Sequence, residues 1–485
     1  MSRQYEGELQ QLDEFTWLLP ATRPDMRTSG LIVSDEVLMR DLAGDAALQQ
    51  VANVACLPGI VGQAMAMPDC HYGYGFPIGG VAAFDTSDGI ISPGGVGYDI
   101  NCGVRLLRTD LVDHDVRQRL DALADRIFAN VPAGVGGKSE LRLSEDELAR
   151  VLTRGAAWAV AQGLGNDDDL EVTEERGCMA GAEPDALSEK AIKRGRPQLG
   201  TLGSGNHFLE IQRVDHIYDP AAAGAMGVKA VGQVLIMIHT GSRGLGYQVC
   251  DDALGPMKRA SEKYDISLPD KQLACAPLDS PEGREYFAAM ACAANYGWCN
   301  RQVITHQVRE AFERVLGQSA AHLGLEMVYD VAHNVAKFED HTVDGQARRL
   351  CVHRKGATRA FGPGRSEVPA RYRAIGQPVI LPGDMGTASY LLAGTEEAMQ
   401  RTFGSTAHGA GRVMSRKQAL RAQTAAEVAA KLADSGIVVR AAGKKTLAEE
   451  APEAYKDVDR VVRACEGAGI SKPVARMTPM GVVKG

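Results

Sequence analysis

The chain has 485 residues, of which 45% are hydrophobic and 24% are charged, and its formal net charge at pH 7 is -8. This composition is typical of a globular protein with a large core, and it excludes an intrinsically disordered chain. The negative net charge excludes a protein that coats nucleic acid through bulk charge, so any contact with nucleic acid requires a local basic groove.

The N-terminal segment "MSRQYEGELQ" is charged and lacks the apolar stretch of a secretion signal. No run in the sequence approaches the roughly 18 apolar residues that a membrane span needs. The ten cysteines lack the paired spacing of a disulfide framework, which favours reduced thiols and metal ligation. We therefore expect a cytoplasmic protein with no membrane partner.

Helical and strand patterns alternate along the rest of the chain. Ser144 and Glu147 have the spacing of a capping box, which predicts a helix over 144–163. The polar stretch 166–196 is expected to form a surface excursion. Short apolar runs that end in glycine loops predict buried strands at "HFLEIQRV", "VLIMIH" and "PVIL" (207–214, 234–239 and 378–381).

A long helix rich in alanine is predicted over 284–316, and the apolar C-terminal segment "PVARMTPMGVVKG" is expected to dock on the body of the protein. The mixture of elements indicates an α/β or α+β fold. No proline-rich or serine-rich linker separates two halves of the chain, and no internal repeat is evident. We therefore expect one intertwined catalytic unit.

Three clusters of basic side chains are candidates for a local groove, although each is also compatible with an ordinary solvated surface. They comprise Lys190, Lys193, Arg194 and Arg196; then Arg354, Lys355, Arg359 and Arg365; and finally Arg412, Arg416 and Lys417.

The stretch "SPGGVGYDINCGVR" places Asp99 and Cys102 three residues apart, directly after a glycine-rich turn. His207, His239 and His333 also lie at predicted strand ends or in loops. One carboxylate, one thiolate and three imidazoles suit zinc, manganese or cobalt better than magnesium or calcium. Five ligands exceed the four of a closed structural zinc site, and a bridging thiolate would allow two ions. The alternative is that Cys102 is a small core residue and Asp99 forms a turn.

His408 lies in "TAHGAGR", with Arg412 four residues later. A neutral imidazole nitrogen is a competent nucleophile toward phosphorus, and an arginine nearby could hold the phosphoryl oxygens. The alternative is a loop histidine near the start of a helix. Several glycine loops could cradle phosphate, but none fits the P-loop or dinucleotide-binding pattern.

Taken together, these motifs resemble the RtcB-type family of GTP-dependent RNA ligases. The resemblance covers nearly the whole chain, from "MPDCHYGYGFPIGGVAAFD" through "SPGGVGYDINCGVR", "GSGNHFLE", "HTGSRG", "DVAHN", "HRKGATRA", "PGDMGTASY" and "STAHGAGR" to "GVVKG". It implies an α+β fold, with a single large mixed-sheet catalytic domain over residues 1–485 and helices around it.

The resemblance also implies a centre with two manganese ions, in which Cys102 bridges the ions. Asp99 and His207 would complete one metal site, and His239 and His333 would complete the other. His408 matches the histidine that becomes guanylylated in the family. The positions that would contact the guanine nucleotide are Asn206, Glu210, Asn334, Asp384, Ser389, His408, Gly409, Ala410, Gly411, Tyr455 and Lys484.

Among these positions, Tyr455 is a candidate for stacking on the base of the nucleotide. Asp384 stands where some relatives have a small hydroxyl residue, so its role toward the nucleotide is open.

The implied reaction joins an RNA 3′-phosphate or 2′,3′-cyclic phosphate to a 5′-hydroxyl through a histidine–GMP intermediate, in tRNA splicing or RNA repair. The partners implied are GTP, tRNA halves or broken RNA ends, and the helper protein archease. Two other functions remain open at this stage. One is a metal-dependent phosphodiesterase that opens cyclic phosphates without ligation, and the other is a non-catalytic RNA-binding module with a structural zinc.

Overall fold

The computed structural model describes residues 5–485, in which two large β-sheets are flanked by helices. This arrangement confirms the predicted α+β class. The strands of this part of the chain are β1 (Gln10–Asp13), β2 (Thr16–Leu19), β3 (Gly30–Val33), β4 (Ile60–His71), β5 (Ile78–Asp85), β6 (Ile90–Ile91), β7 (Gly103–Val112), β8 (Phe208–Ile217), β9 (Gln233–Thr240), β10 (Ala276–Pro277), β11 (Glu326–Ala332), β12 (Asn334–Val343), β13 (Gln346–Lys355), β14 (Ala357–Arg359), β15 (Pro378–Leu381), β16 (Ser389–Ala393), β17 (Ser405–Ala407), β18 (Val438–Ala441) and β19 (Lys472–Lys484).

The α-helices lie mostly between strands. None of the helices within residues 5–485 offers the long apolar stretch that a membrane crossing requires. They are α1 (Glu36–Ala43), α2 (Ala47–Val54), α3 (Asp113–Arg117), α4 (Leu120–Asn130), α5 (Glu145–Arg154), α6 (Ala156–Ala161), α7 (Asp167–Glu171), α8 (Glu189–Gly195), α9 (Pro220–Ala225), α10 (Arg243–Lys263), α11 (Pro281–Leu316), α12 (Glu396–Arg401), α13 (Arg416–Ala422), α14 (Ala425–Asp434), α15 (Lys444–Glu449) and α16 (Val458–Gly467).

The first sheet has the strand order β1-β2-β3-β4-β5-β13-β12, and the second has the order β11-β7-β9-β8-β19-β16-β15, with β18 also paired to β19. Nearly all neighbouring strands are antiparallel; β3 with β4 and β18 with β19 are parallel. The predicted strands over 207–214, 234–239 and 378–381 correspond to β8, β9 and β15. The C-terminal segment does more than dock on the body, because β19 lies inside the second sheet between β8 and β16.

Four adjacent strands of the second sheet bring their ends to one edge. Gly103, the first residue of β7, pairs with Thr240 at the end of β9 and with Ala332 at the end of β11. Phe208, the first residue of β8, pairs with His239. Because these neighbours are antiparallel, the segments before β7 and β8 and those after β9 and β11 meet at the same edge. The predicted metal ligands lie at this edge: Asp99 and Cys102 precede β7, His207 precedes β8, His239 is the penultimate residue of β9, and His333 follows β11.

The predicted helix over 144–163 is interrupted. Its capping box is confirmed, since Ser144 accepts a hydrogen bond from the Glu147 backbone and the Glu147 side chain accepts one from Ser144. The chain then turns at Gly155, where φ is +55°. A Cβ at this position would lie 2.0 Å from the carbonyl oxygen of Gly177, so only glycine allows the close approach that separates α5 from α6.

Most residues of the polar stretch 166–196 lie at or near the surface, as predicted, but two of its carboxylates anchor it in the interior. Asp169 and Glu174 are almost fully buried. Both carboxylate oxygens of Asp169 accept hydrogen bonds from Arg309 at 2.7 Å. Glu174 accepts one from Lys337, also at 2.7 Å. Charged residues that the sequence shows as a polar run therefore serve as buried counter-charges.

The second basic cluster is largely buried too, so it does not form a surface groove. Arg354 makes a two-point ion pair with Glu339 at 2.6 and 2.8 Å, and Arg359 pairs with Glu175 at 2.6 Å. The ammonium group of Lys355 donates to three backbone carbonyls. Arg354 and Arg359 are therefore paired within the core, whereas Lys355 is held by neutral carbonyls and also borders the cavity described below.

The long helix is confirmed as α11, and its buried Arg301 connects two of the ligand-bearing segments. Its guanidinium donates to the carbonyl oxygens of Asn101 and Thr240 at 2.8 and 2.9 Å. Asn101 precedes Cys102 and has a φ of +52°, a conformation that this contact helps to hold. Asp330 balances the charge, since it accepts hydrogen bonds at 2.7 to 2.8 Å from both Arg301 and Arg105.

We expect Asp330→Ala to lower the free energy of unfolding by about 3–5 kcal/mol, because it leaves two guanidinium groups buried without a counter-charge. Urea denaturation followed by circular dichroism measures the change. The matched control is Asp340→Ala, which removes the 67% exposed partner of Arg349 and should cost less than about 1 kcal/mol. Equal small losses in the two variants would contradict the role assigned to Asp330.

Candidate active site

A cavity of about 930 Å³ opens at the edge of the second sheet where the four strands end. Most of the predicted site residues form its wall. Those are Asp99, Asn206, His207, His239, His333, Asn334, His408, Gly409, Ala410, Gly411, Arg412 and Tyr455. The other predicted residues lie behind the wall and are buried: Cys102, Glu210, Asp384, Ser389 and Lys484.

The five predicted metal ligands come together in two groups of three that share Cys102. One group is Asp99, Cys102 and His207, and the other is Cys102, His239 and His333. Within each group the ligand atoms lie within 4.8 Å of one another. The Sγ atom of Cys102 is 3.5 Å from Nε2 of His207 and 3.4 Å from Nε2 of His239. This pairing of residues is the one that the family resemblance implies.

The hydrogen bonds at the back of His207 direct its other nitrogen into the cluster. Nδ1 lies 3.0 Å from the carbonyl oxygen of Leu202, so Nδ1 carries the proton and donates it. The lone pair of Nε2 then faces Oδ2 of Asp99 at 2.6 Å. Two acceptors in contact require a shared proton or a cation between them. The donor set therefore fits a metal ion.

The electrostatics of the second group also fit a cation. Burial lowers the pKa of His239 and of His333 well below the usual value, so both rings are neutral. Their Nε2 atoms lie 3.3 Å apart. Burial, together with the charge of Asp99, raises the pKa of the Cys102 thiol well above its usual value. A bound divalent ion would stabilise the thiolate and give the imidazole lone pairs a ligand role.

His408 follows β17 and is oriented by a residue that the sequence analysis missed. Nδ1 of His408 lies 2.5 Å from Oδ2 of Asp69, which is buried in β4. The same oxygen accepts hydrogen bonds from the backbone N–H groups of His408 and Gly409, at 3.0 and 3.2 Å. The carboxylate holds the proton on Nδ1 and leaves the Nε2 lone pair free.

The loop that carries His408 packs closely on the strand that carries Asp69. Gly411 has a φ of +74°, and a Cβ there would lie 2.2 Å from the carbonyl oxygen of Asp69. The ring of His408 also meets the ring of His333 edge to face, with their centroids 4.8 Å apart. The candidate nucleophile therefore contacts one of the candidate metal ligands directly.

Glu210 and Lys484 occupy neighbouring strands at the same edge. Glu210 is buried in β8; one carboxylate oxygen accepts a hydrogen bond from Gln212, and the other has no partner among the described residues. Burial raises the pKa of Glu210 to about 8. The ammonium group of Lys484 lies 5.3 Å from the centroid of the Phe208 ring, and burial lowers its pKa. An unpaired buried carboxylate oxygen can accept N–H groups from a ligand.

Arg412 and Tyr455 contact each other on the cavity wall. The guanidinium of Arg412 lies 5.0 Å from the centroid of the Tyr455 ring and pairs with Glu450 at 2.9 Å. Glu450 also pairs with Arg416 at 3.1 Å. Although burial opposes it, the positive charges of Lys484, Arg412 and Arg416 lower the pKa of Glu450 to about 2. The roles of Arg412 toward phosphate and of Tyr455 toward a base stay predictions.

The remaining predicted residues have local structural partners. Asp384 is buried and accepts hydrogen bonds from the Gly386 backbone and the Thr387 hydroxyl, at 2.8 and 2.7 Å. Burial raises the pKa of Asp384. The Ser389 hydroxyl accepts from Gly383 and Gln212. These contacts organise the "PGDMGTASY" turn, so any effect of Asp384 or Ser389 on a ligand would pass through the turn.

Asn334 connects the metal loop to a neighbouring loop. Its side-chain amide donates to the carbonyl oxygen of Asp99 at 3.0 Å, and its side-chain oxygen accepts from the backbone of Gly356 at 2.8 Å. Its own carbonyl accepts from Asn101 at 2.8 Å. Asn334 therefore holds the segment that carries Asp99 and Cys102 in place.

Sequence comparison agrees with this geometry. Residues 50–485 match the family described as tRNA-splicing ligase RtcB. A tRNA-splicing ligase RtcB of Methanococcus maripaludis is 57% identical over 473 residues, which cover 97% of this chain and 98% of that relative. One of Archaeoglobus fulgidus is 56% identical over 481 residues, 99% of each chain. An RNA-splicing ligase RtcB of Mycobacterium bovis is 53% identical over 439 residues, 90% of this chain and 100% of that relative.

These matches extend over the candidate metal ligands, the histidine loop and the C-terminal strand, and they come from a family that the motifs already indicated. On this evidence the chain belongs to the RtcB family of tRNA-splicing ligases.

Proposed function

We propose that this RNA ligase joins an RNA 3′-phosphate or 2′,3′-cyclic phosphate to a 5′-hydroxyl, using GTP and manganese and forming a histidine–GMP intermediate. The RNA ends would arise from tRNA splicing or from RNA breakage. The observation that carries the proposal is the position of His408, which is oriented by Asp69 and contacts His333 of the metal cluster. We further propose that residues 1–485 act as one catalytic domain.

His408 has the features of a nucleophile toward phosphorus. Its Nδ1 proton is held by a buried carboxylate, so Nε2 is neutral and carries an available lone pair. In the first step Nε2 would attack the α-phosphorus of GTP, and pyrophosphate would leave. The product is a phosphoramidate that links Nε2 to GMP. Asp69 then stabilises the positive charge that develops on the imidazole.

The next two steps return the enzyme to its starting state. A 2′,3′-cyclic phosphate end would first add water, which opens the ring to a 3′-phosphate and a 2′-hydroxyl. A 3′-phosphate oxygen of the RNA attacks the phosphorus of the histidine-bound GMP, the bond to Nε2 breaks, and the RNA 3′ end carries GMP. The 5′-hydroxyl oxygen of the second RNA end then attacks the 3′-phosphate phosphorus and releases its proton to solvent. GMP leaves and a 3′,5′-phosphodiester forms. His408 binds and releases the GMP group, and its Nδ1 keeps its proton, which is hydrogen-bonded to Asp69.

Two manganese ions would be held by Asp99, Cys102 and His207 on one side and by Cys102, His239 and His333 on the other. When bound, such ions neutralise phosphate oxygens and favour attack at phosphorus. The chain contributes the fixed ligand positions, since Arg301 and Asn334 hold the Asp99–Cys102 segment from two directions. Thiolate and imidazole ligands favour manganese or zinc over magnesium.

Glu210 offers a way to select guanine. The N1–H and the 2-amino group of guanine are both donors, and the unpaired carboxylate oxygen of Glu210 is a buried acceptor. Adenine has no proton on N1 and no 2-amino group, so it would leave this acceptor without a partner. Asn206 and Tyr455 line the cavity, Glu210 is buried behind its wall, and Lys484 adds positive charge close to Glu210.

A cyclic phosphodiesterase without ligase activity would require the metal ligands alone. It would not require His408 with its Asp69 partner, nor the unpaired buried carboxylate of Glu210. The presence of both features favours ligation.

We expect wild-type protein, incubated with MnCl2 and GTP labelled in the α-phosphate, to acquire an acid-labile covalent label that His408→Ala abolishes. His322→Ala, which removes an exposed histidine that does not line the cavity, should keep the label. Denaturing gel electrophoresis with autoradiography measures it. A wild-type protein that opens cyclic phosphates but takes no label would identify the phosphodiesterase instead.

We expect Asp69→Ala to slow the guanylylation of His408 by on the order of 10²- to 10⁴-fold, the scale found when a carboxylate that orients a catalytic histidine is lost. Asp69→Asn should also be slow, because its amide N–H can donate to Nδ1 and favour the tautomer whose Nε2 carries the proton. Single-turnover labelling gives the rates. Wild-type rates in either variant would contradict the positioning role.

We expect Cys102→Ala to bind manganese at least about tenfold more weakly while keeping the fold, because it removes the ligand that both groups share. Titration calorimetry with MnCl2 measures binding, and circular dichroism reports the fold. Cys292→Ala, a buried cysteine outside the cluster, is the matched control and should bind manganese normally. Unchanged manganese binding by Cys102→Ala would argue against the bridging role.

A further inference from the structure

Three tyrosines and an arginine form a partly exposed stack at the mouth of the cavity. The rings of Tyr98 and Tyr247 are stacked, with centroids 4.9 Å apart and planes 26° apart. Tyr74 meets Tyr98 edge to face at 5.6 Å, and the guanidinium of Arg194 lies 5.1 Å from the centroid of Tyr247. We call these four residues the aromatic platform.

Unlike tyrosines in a protein core, the side chains of the aromatic platform are partly exposed to solvent. Tyr247 is 46% exposed, Arg194 is exposed, and all four residues line the cavity wall. A group of aromatic rings that faces solvent inside a cavity indicates a binding surface more than a packing unit. No part of the mechanism described above uses these side chains.

The platform is continuous with the metal cluster. Tyr98 directly precedes the candidate ligand Asp99, and Tyr247 lies on α10, four residues after Arg243. Arg243 also lines the cavity. A chain that lies on the platform would therefore occupy the cavity that the candidate metal ligands also line.

The charge at this position favours an anionic partner. Arg194 donates to the side chain of Gln248 at 2.8 Å, and within residues 5–485 it forms no ion pair with a carboxylate. The neighbouring Lys190 and Lys193 on α8 are exposed as well. Phosphate groups of a strand that crosses this rim would meet cations that form no ion pair with a carboxylate of the described residues, although Asp251 and Asp252 lie next to Gln248.

We propose that the aromatic platform binds the unpaired nucleotides next to a reacting RNA end, with the bases stacked on its planar groups and the phosphates near Arg194. The inference rests on the proposed function, because it assigns the RNA subsite of that same cavity. Aromatic rings and guanidinium planes stack on any base, so this subsite holds single-stranded RNA without reading its sequence. A ligase that accepts different broken ends requires such tolerance.

The experiment measures the affinity of a fluorescein-labelled single-stranded RNA of 12 nucleotides with a 5′-hydroxyl, by anisotropy, with MnCl2 and without GTP. Tyr247→Ala should weaken binding about 5- to 100-fold, the range of one lost stacked base. Tyr247→Trp keeps a planar ring and should retain affinity within about threefold. Tyr218→Ala is the control, because Tyr218 is also 46% exposed and stacks on Tyr390 outside the cavity wall.

A second readout reports stacking itself. RNA that carries 2-aminopurine near its 5′ end should lose emission on binding to the wild type, since stacking quenches this base, and should lose much less on binding to Tyr247→Ala. Equal affinities and equal quenching in the two proteins would overturn the inference. Equal weakening by Tyr218→Ala would overturn it as well.

The labelling experiment with GTP separates this result from the proposed function. A wild-type protein that takes no GMP label refutes the proposed function. A wild-type protein that takes the label, and whose Tyr247→Ala variant binds RNA normally, refutes the aromatic platform alone.

Discussion

The candidate active site depends on one buried guanidinium. Arg301 holds the carbonyl groups of Asn101 and Thr240, which are the neighbours of Cys102 and His239, and Asp330 balances its charge. Ligand side chains of a metal centre do not attract one another before the ion binds, so a scaffold must keep them close. Here the scaffold is helix α11, and the adjacent Asn300 bonds the loops before His207 and after His239 in the same manner.

This arrangement explains the unusual polarity of α11. A long helix in the centre of a protein is expected to be apolar on every buried face. The segment Asn300, Arg301, Gln302 and Thr305 is nevertheless buried and polar, and all of it is hydrogen-bonded. Replacing such groups by apolar side chains would leave strand-end carbonyls unsatisfied at the edge where the ligands meet. The polar face of α11 is therefore part of the site.

Local sequence patterns single out the candidate ligands but not the contacts that support them, for a physical reason. Cys102 follows a glycine-rich turn, and His239 lies at the end of a predicted strand just before a glycine loop. Asp69 lies inside an apolar strand and meets His408 from 339 residues away, so no local spacing reveals the pair. Arg354 was expected at the surface because charged residues are mostly exposed; its partner Glu339 lies across the β12–β13 hairpin. The break at Gly155 likewise depends on a remote carbonyl, that of Gly177.

The charge of the cavity also depends on contacts between residues that are far apart in the sequence. A net charge of -8 suggests a poor partner for RNA, yet the cavity wall presents Arg194, Arg243 and Arg416. Glu450 stays ionised in the interior because Lys484, Arg412 and Arg416 surround it, so it fixes cations without being exposed itself. A phosphate that enters the cavity competes with Glu450 for guanidinium groups that are already held in position. Binding therefore costs little side-chain entropy of the arginines. The arrangement of charges in the cavity, and not the net charge of the chain, thus decides whether an anion binds there.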